Sequence, residues 1–178
     1  MTTANKLTIF RVVLIPVFLV LAYTGHMRWA LAVFVIASLT DMADGYIARH
    51  YNQITDFGKF MDPLADKVLV MAAMCYFVEI GRMPGWALAT VLLREFAVSG
   101  MRLIAVEQGR VIAAARSGKV KTAATMVCLC LMLLIAPPRL EDSAPDLIAQ
   151  FSTLVILVTT LWSGAEYFWK NRDVFRSA

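Results

Sequence analysis

The chain has 178 residues, a formal net charge of +4 at pH 7 and a mean hydropathy of +0.67. Hydrophobic residues make up 60% of it, well above the ~45–50% typical of soluble globular proteins, and only 17% are charged. A water-soluble fold is therefore not expected. The small positive excess favours contact with an anionic membrane over a nucleic-acid surface, so we expect no nucleic-acid partner. The three cysteines lie within apolar stretches and predict neither a disulfide framework nor a zinc site.

Six apolar segments follow one another along the chain and predict an all-α integral membrane protein with six transmembrane helices. A helix that crosses a bilayer needs ~20 largely apolar residues, so six helices take up about 120 residues and leave only short connections. No internal repeat, low-complexity stretch or linker divides the chain, and we expect one membrane domain over residues 1–178. The predicted segments are residues 12–25, 29–40, 68–78, 83–93, 122–138 and 147–165.

The distribution of Lys and Arg between the connections predicts the orientation of these helices, because positively charged loops stay in the cytoplasm. With six spans, thirteen of the 17 basic residues fall on the side that carries both termini and the loops around residues 50–60 and 105–118. Arg28, Arg82 and Arg139 fall on the opposite side, and Arg94 lies at membrane depth. Both termini are therefore predicted to be cytoplasmic.

Two pairs of aspartates lie where the second apolar segment ends and the third begins. Asp41 and Asp44 are three residues apart and Asp62 and Asp66 are four apart, so each pair lies on one face of its own helix. Four lipid-facing carboxylates would cost about 10–14 kcal/mol, so they are expected to face the interior. The short connection makes the two helices antiparallel neighbours and brings both acidic faces together near the cytoplasmic boundary. Because hard oxygen ligands suit Mg²⁺ or Mn²⁺, the four carboxylates predict a metal-bound diphosphate in a polar cytoplasmic cavity.

The residues between the two pairs are typical of a surface that a nucleotide approaches closely. Gly45 and Ala48 follow Asp44 by one and four positions and remove side-chain bulk beside the carboxylates. Arg49 offers a guanidinium able to bind a phosphate through two hydrogen bonds. Gly58 gives the connecting segment a second point of close approach.

This pattern resembles the signature of the CDP-alcohol phosphotransferase family at every position. The wider similarity covers nearly the whole chain and is strongest to the bacterial members that make phosphatidylglycerophosphate. The signature reads Asp41-x-x-Asp44-Gly45-x-x-Ala48-Arg49, then eight residues, then Gly58-x-x-x-Asp62-x-x-x-Asp66. Outside it, the similar residues are Asn5, Leu7, Thr8, Arg11, Pro16, Arg94, Glu95, Arg102 and the run from Gly118 to Thr122.

The resemblance implies an enzyme of phospholipid biosynthesis that transfers the phosphatidyl group of CDP-diacylglycerol to sn-glycerol 3-phosphate and releases CMP. It implies one or two Mg²⁺ or Mn²⁺ ions, a homodimer, and a place in the bacterial cytoplasmic (inner) membrane. The metal ligands would be Asp41, Asp44, Asp62 and Asp66, and Asp66 would also be the general base. The expected CDP-diacylglycerol site comprises Asp41, Asp44, Gly45, Ala48, Arg49 and Gly58 with Asn5, Thr8 and Arg11.

A cluster of cations on the fourth and fifth helices predicts a site for the phosphate of the acceptor. A free alcohol such as serine needs no second phosphate site, whereas glycerol 3-phosphate or an inositol phosphate does, so the acceptor within the family stays open between these alternatives. The same cations are also expected of positive-inside anchors attracted to anionic lipid. The candidate phosphate ligands are Arg94, Arg102, Arg116, Lys119 and Lys121.

Two other interpretations of the aspartates remain open. A cation or proton transporter also keeps carboxylates within its spans, although it would be expected to show repeated halves and acids along a path across the membrane. Asp62 followed by Pro63 is also typical of a helix start, with Asp as the N-cap and Pro at the first helical position.

Overall fold

A computed structural model describes the backbone of residues 3–50, 56–110, 112, 113, 115–135 and 147–175. Within these ranges, the side chains of residues 3–8, 41–50, 56–63, 66 and 175 lie outside the description. The described residues form six α-helices and one short 3₁₀ helix and contain no strand, which confirms the all-helical prediction. The helices are α1 (Thr3–Tyr23), α2 (Met27–His50), α3 (Asp56–Glu79), α4 (Gly85–Glu107), α5 (Arg116–Ile135), α6 (Leu147–Lys170) and the 3₁₀ helix Arg172–Phe175.

The helices extend well beyond the apolar segments of the sequence. α2 continues for ten residues past Thr40, and α3 begins twelve residues before Val68, so both aspartate pairs lie within helices. The N-cap interpretation of Asp62 is wrong, because α3 already begins at Asp56. The helical backbone continues through these polar residues because an α-helix forms its hydrogen bonds within its own backbone and does not require apolar side chains.

Each packed helix buries a narrow stripe of residues three and four positions apart. In α2 the buried side chains are Met27, Ala30, Phe34 and Ala37, none more than 7% exposed. This alternation of three and four keeps one face of a helix against its neighbours. The corresponding buried residues of α3 are Leu69, Ala73 and Tyr76, and those of α4 are Ala87, Val91, Val98, Met101 and Ala105.

Contacts between side chains give the relative directions of the helices. Tyr76, late in α3, donates a hydrogen bond to Met27 Sδ, at the start of α2, at 3.7 Å, so α2 and α3 are antiparallel. Successive positions of α4 meet successive positions of α6 and of the segment that follows it, so α4 and α6 run in the same direction. These pairs are Arg94 with Ser163, Arg102 with Tyr167 and Gln108 with Val174.

Large apolar side chains cover the outside of the helices, while several polar side chains are buried between them. Two described helices, α5 and α6, are long and apolar enough to cross a membrane, and shorter apolar stretches occur at Ile9–Tyr23 and Met27–Thr40. The buried polar residues include Arg11, Lys121, Ser152, Thr160 and Ser163. The exposed apolar residues include Val13, Val20, Trp29, Leu39, Leu64, Val68, Leu93, Leu103, Val127, Leu134, Leu154 and Leu161.

Candidate active site

The two aspartate pairs occupy neighbouring stretches of α2 and α3 at comparable depth. From the contact between Met27 and Tyr76, a rise of 1.5 Å per residue places positions 41 and 44 about 21 and 26 Å along α2. The same contact places positions 66 and 62 about 15 and 21 Å back along α3. Because the helices are antiparallel, moving forward along α2 and backward along α3 leads in the same direction from the contact between Met27 and Tyr76. The four positions therefore occupy one layer of the helix bundle.

The buried stripes of α2 and α3 lead directly to these positions. In α2, steps of four and three from the buried Ala37 reach Asp41 and Asp44. In α3, steps of three and four back from the buried Leu69 reach Asp66 and Asp62. The four backbone positions thus continue the spacing of the buried residues of α2 and α3. The aspartate side chains themselves lie outside the described residues.

The donor set fits a hard divalent cation by its chemistry. Four carboxylates on two antiparallel helices supply oxygen ligands alone, which suits Mg²⁺ or Mn²⁺ and leaves positions open for phosphate oxygens. Among the side chains that the structure describes, no group of three His, Cys, Asp or Glu residues could hold a metal ion.

The remaining candidate residues for CDP-diacylglycerol lie on the same two helices and on α1. Gly45, Ala48 and Arg49 are in the last turns of α2, and Gly58 is in the first turn of α3. Of the α1 candidates, Asn5 and Thr8 have side chains outside the description, whereas Arg11 is completely buried. A buried guanidinium requires polar partners, so Arg11 is held within the protein and does not anchor the chain at the membrane surface.

Glu95 joins two of the predicted acceptor ligands. Its Oε1 atom accepts hydrogen bonds from Arg94 Nη1 at 2.9 Å and from Lys121 Nζ at 2.8 Å, and it forms an ion pair with both cations. All three side chains are mostly buried, with 7–16% of their surface exposed. One carboxylate thus partly neutralises two cations and connects α4 to α5.

Arg94 crosses from α4 towards α6 between two glycines. Its Nη2 atom donates to Ser163 Oγ at 2.6 Å. A Cβ atom at Gly164 would lie 3.2 Å from Arg94 Cγ, and one at Gly118 would lie 3.8 Å from Arg94 Nη2. The distance at Gly164 is shorter than an ordinary van der Waals contact, so a larger residue there would crowd the Arg94 side chain.

Arg102 lies two turns further along α4 and contacts α6 without a carboxylate. Its Nε atom donates to Tyr167 Oη at 3.2 Å, and its guanidinium carbon lies 5.7 Å from the centre of the Tyr167 ring. Both contacts orient the guanidinium, and neither brings a counter-charge to it; no ion pair joins Arg102 to a carboxylate among the described side chains. Arg116 and Lys119, the two other predicted acceptor ligands, lie in the first turn of α5 with exposed side chains.

Comparison with known proteins supports the signature. The family model described as CDP-alcohol phosphatidyltransferase matches residues 1–162. The chain belongs to this family.

Curated relatives resemble the chain over most of its length. A Bacillus subtilis protein named CDP-diacylglycerol–glycerol-3-phosphate 3-phosphatidyltransferase is 38% identical, with 98% of this chain and 97% of the relative covered. A protein of the same name from Escherichia coli K12 is 41% identical, with 90% of each chain covered. A Mycobacterium tuberculosis protein named probable phosphatidylglycerophosphate synthase is 36% identical over 92% of this chain and 78% of the relative.

In this CDP-alcohol phosphatidyltransferase, the sequence does not predict the neutral residues that contact the Arg94 and Arg102 side chains. Residues 147–165 were interpreted as an uncharged span, yet α6 supplies Ser163 and Gly164 to Arg94, and Tyr167 to Arg102. A usable signal existed, because Thr160, Ser163 and Gly164 place small and hydroxyl-bearing residues three and four positions apart. Lys67 is one of the thirteen basic residues on the side of the termini, and its Nζ atom contacts Ser99 Oγ at 2.5 Å, a contact that the sequence does not predict.

Proposed function

We infer that the chain is a CDP-diacylglycerol–glycerol-3-phosphate 3-phosphatidyltransferase. It transfers the phosphatidyl group of CDP-diacylglycerol to sn-glycerol 3-phosphate and yields phosphatidylglycerophosphate and CMP. The observation that carries this conclusion is the identity of 38–42% with relatives of that name, over 90–98% of the chain. The acceptors inositol phosphate and serine are not favoured by these relatives, and neither is a cation or proton transporter.

Asp41, Asp44, Asp62 and Asp66 are the proposed ligands of Mg²⁺ or Mn²⁺. Support comes from their common layer in α2 and α3 and from the buried stripes that lead to all four positions. A bound divalent ion supplies positive charge that stabilises the diphosphate of CDP-diacylglycerol and the phosphate oxygens of departing CMP.

Asp66 is the proposed general base. Its carboxylate takes the proton of the primary hydroxyl of glycerol 3-phosphate while the hydroxyl oxygen attacks the phosphorus of the phosphatidyl group. The new oxygen–phosphorus bond forms as the bond to CMP breaks, and CMP leaves with the bonding electron pair. The exchange is balanced without a covalent enzyme intermediate.

The proposed CDP-diacylglycerol site combines the signature with α1. Gly45, Ala48 and Gly58 leave room for the nucleotide, and Arg49 binds phosphate oxygens. Arg11, Asn5 and Thr8 complete the site from the N-terminal half of α1. The burial of Arg11 supports this placement, because it keeps a guanidinium in the interior of the helix bundle.

The proposed acceptor-phosphate site contains Arg94, Arg102, Arg116, Lys119 and Lys121. Arg102 is supported most directly, because its contacts with Tyr167 orient the guanidinium without supplying a negative charge. Arg94 and Lys121 share Glu95 and therefore provide a smaller net attraction. Arg116 and Lys119 are exposed and would reach the phosphate from the edge of the cavity.

The proposed setting is the bacterial cytoplasmic membrane, with six spans, both termini and the active site facing the cytoplasm, one domain over residues 1–178, and a homodimer. The apolar outer surfaces of all six helices support the membrane assignment, since water would penalise them and lipid would not. The excess of Lys and Arg on one side supports the orientation.

The function is tested with detergent-solubilised protein, CDP-diacylglycerol, labelled acceptor and Mg²⁺. Label from glycerol 3-phosphate is expected to move into the lipid fraction with one CMP released per lipid formed. Inositol phosphate and serine at equal concentration serve as competing acceptors. Label that stays water-soluble with glycerol 3-phosphate, or that enters lipid faster from another acceptor, would contradict the assignment.

A further inference from the structure

We propose that Lys67 of α3, held by Ser99 of α4, binds the phosphate of the acceptor. This inference rests on the proposed function and adds Lys67 to the proposed ligands of the acceptor phosphate. Lys67 is half-buried, and its Nζ atom donates a hydrogen bond to Ser99 Oγ at 2.5 Å. The contact fixes the ammonium between two helices, so it is not a freely moving surface charge.

The hydrogen-bond partner of Lys67 is a neutral hydroxyl, whereas several other cations of the protein pair with carboxylates. Lys121 and Arg94 share the carboxylate of Glu95, and Lys170 pairs with Glu166. Among the described side chains, no carboxylate lies within ion-pair distance of Lys67. A hydroxyl orients an ammonium without cancelling its charge, so the contact with Ser99 itself leaves the Lys67 ammonium attractive to an anion.

The position of Ser99 connects Lys67 to the cations already described. Glu95, Ser99 and Arg102 are four and three residues apart on α4, so they lie along one face of the helix. Ser99 therefore brings the Lys67 ammonium to α4 within one turn of Arg102. Both cations are held by neutral hydroxyls, of Ser99 and of Tyr167. A phosphate carries more than one negative charge at neutral pH, and two oriented cations on adjacent turns suit it.

The chain position of Lys67 connects this phosphate site to the proposed chemistry. Lys67 directly follows Asp66 on α3, so the two backbone positions differ by only about 1.5 Å along the helix. A phosphate bound at Lys67 would keep a three-carbon alcohol close to Asp66. Binding the phosphate at this point thus orients the reacting hydroxyl as well as raising affinity.

The test compares steady-state kinetics of the wild type with Lys67→Met, Lys67→Arg and Ser99→Ala. For Lys67→Met we expect the KM for glycerol 3-phosphate to rise at least tenfold, while the KM for CDP-diacylglycerol changes less than twofold. Lys67→Arg is expected to recover part of the loss, because it keeps the charge. Ser99→Ala, which keeps the charge but removes its support, is expected to raise the same KM a few-fold.

Lys170→Met is the matched control, since it removes an ammonium that is exposed and paired with Glu166 at the end of α6. Its kinetic constants are expected to stay within twofold of the wild type. An unchanged KM for glycerol 3-phosphate in Lys67→Met, or a rise confined to the KM for CDP-diacylglycerol, overturns the proposal. If Lys67→Met does not fold, an unchanged KM for glycerol 3-phosphate in both Lys67→Arg and Ser99→Ala overturns it. Wild-type protein that does not use glycerol 3-phosphate contradicts the proposed function itself, independently of the variants.

Discussion

The proposed acidic and basic halves of the site acquire their counter-charges in different ways. On α4 and α5, Arg94 and Lys121 are bound to Glu95, a carboxylate of the protein itself. On α2 and α3, the signature supplies four carboxylates whose counter-charge we propose to come from a metal ion. Opposite charges within the protein compensate each other before any substrate arrives, whereas charges of one sign repel until an ion binds. Substitutions in the two halves should therefore affect different properties.

Of the tests of this comparison, removal of the divalent ion is expected to reduce the rate of phosphatidyl transfer most. EDTA should reduce phosphatidyl transfer to background, because the acidic half loses its counter-charge and the diphosphate loses its ligand. Addition of Mg²⁺ or Mn²⁺ in excess of EDTA should restore the rate, and Ca²⁺ provides a comparison for size. Full activity in EDTA after dialysis would contradict the metal assignment.

Asp66→Asn is expected to separate catalysis from binding. Loss of a general base reduces turnover by roughly 10²–10⁴-fold, so kcat should fall within that range. CDP-diacylglycerol should still bind, as measured by equilibrium binding of the labelled nucleotide lipid. Thermal stability should not decrease, because one of four like charges has been removed. An equal loss of binding and turnover would indicate that Asp66 is chiefly a metal ligand.

Glu95→Gln is expected to act on stability. Removal of the shared carboxylate leaves Arg94 and Lys121 buried without their counter-charge, at a cost of about 3 kcal/mol. Such a loss should appear as a lower midpoint of thermal unfolding in detergent. Glu166→Gln is the matched control, because its partner Lys170 is 64% exposed and solvent screens the pair. Equal midpoints for the two variants would remove the distinction between the halves.

Arg102→Ala is expected to produce the smallest effect, confined to the acceptor. Loss of one charge-assisted contact corresponds to about 1.5 kcal/mol or more, so the KM for glycerol 3-phosphate should rise about tenfold. The KM for CDP-diacylglycerol should not change. Tyr167→Phe keeps the ring beneath the guanidinium and removes only the hydroxyl, so its rise should be smaller. No rise in Arg102→Ala would assign this residue to anchoring at the membrane surface.

The sequence was sufficient for the helices but not for their ends. Each apolar segment corresponds to a helix, because apolar length is the dominant signal in such chains. The polar ends of α2 and α3 were not delimited, since Asp41, Asp44, Asp62 and Asp66 interrupt apolarity without interrupting helical backbone. The structure describes six helices but identifies only α5 and α6 as long and apolar enough to span a membrane, and the six-span topology stays a prediction.

The sequence predicts the part of the candidate site in which charged residues recur at fixed spacing. It does not predict the neutral side chains that contact these cations from another helix. The signature aspartates follow from intervals along the chain. The contacts of Arg94 with Ser163 and of Lys67 with Ser99 connect residues 69 and 32 positions apart, and no local pattern encodes them. A hydroxyl at such a position is chosen by the packing of two helices, which becomes visible only when their register is known.

The attachment of the 3₁₀ helix to α4 has a practical consequence for handling the protein. Gln108 donates a hydrogen bond to the carbonyl of Val174, and Val174 packs with Met101 and Ala105. A bulky fluorescent or affinity fusion at the C-terminus would follow this attachment within a few residues. A long flexible spacer before such a fusion keeps it away from the contact between the 3₁₀ helix and α4. Without the spacer, displacement of the 3₁₀ helix would lower the measured affinity for glycerol 3-phosphate.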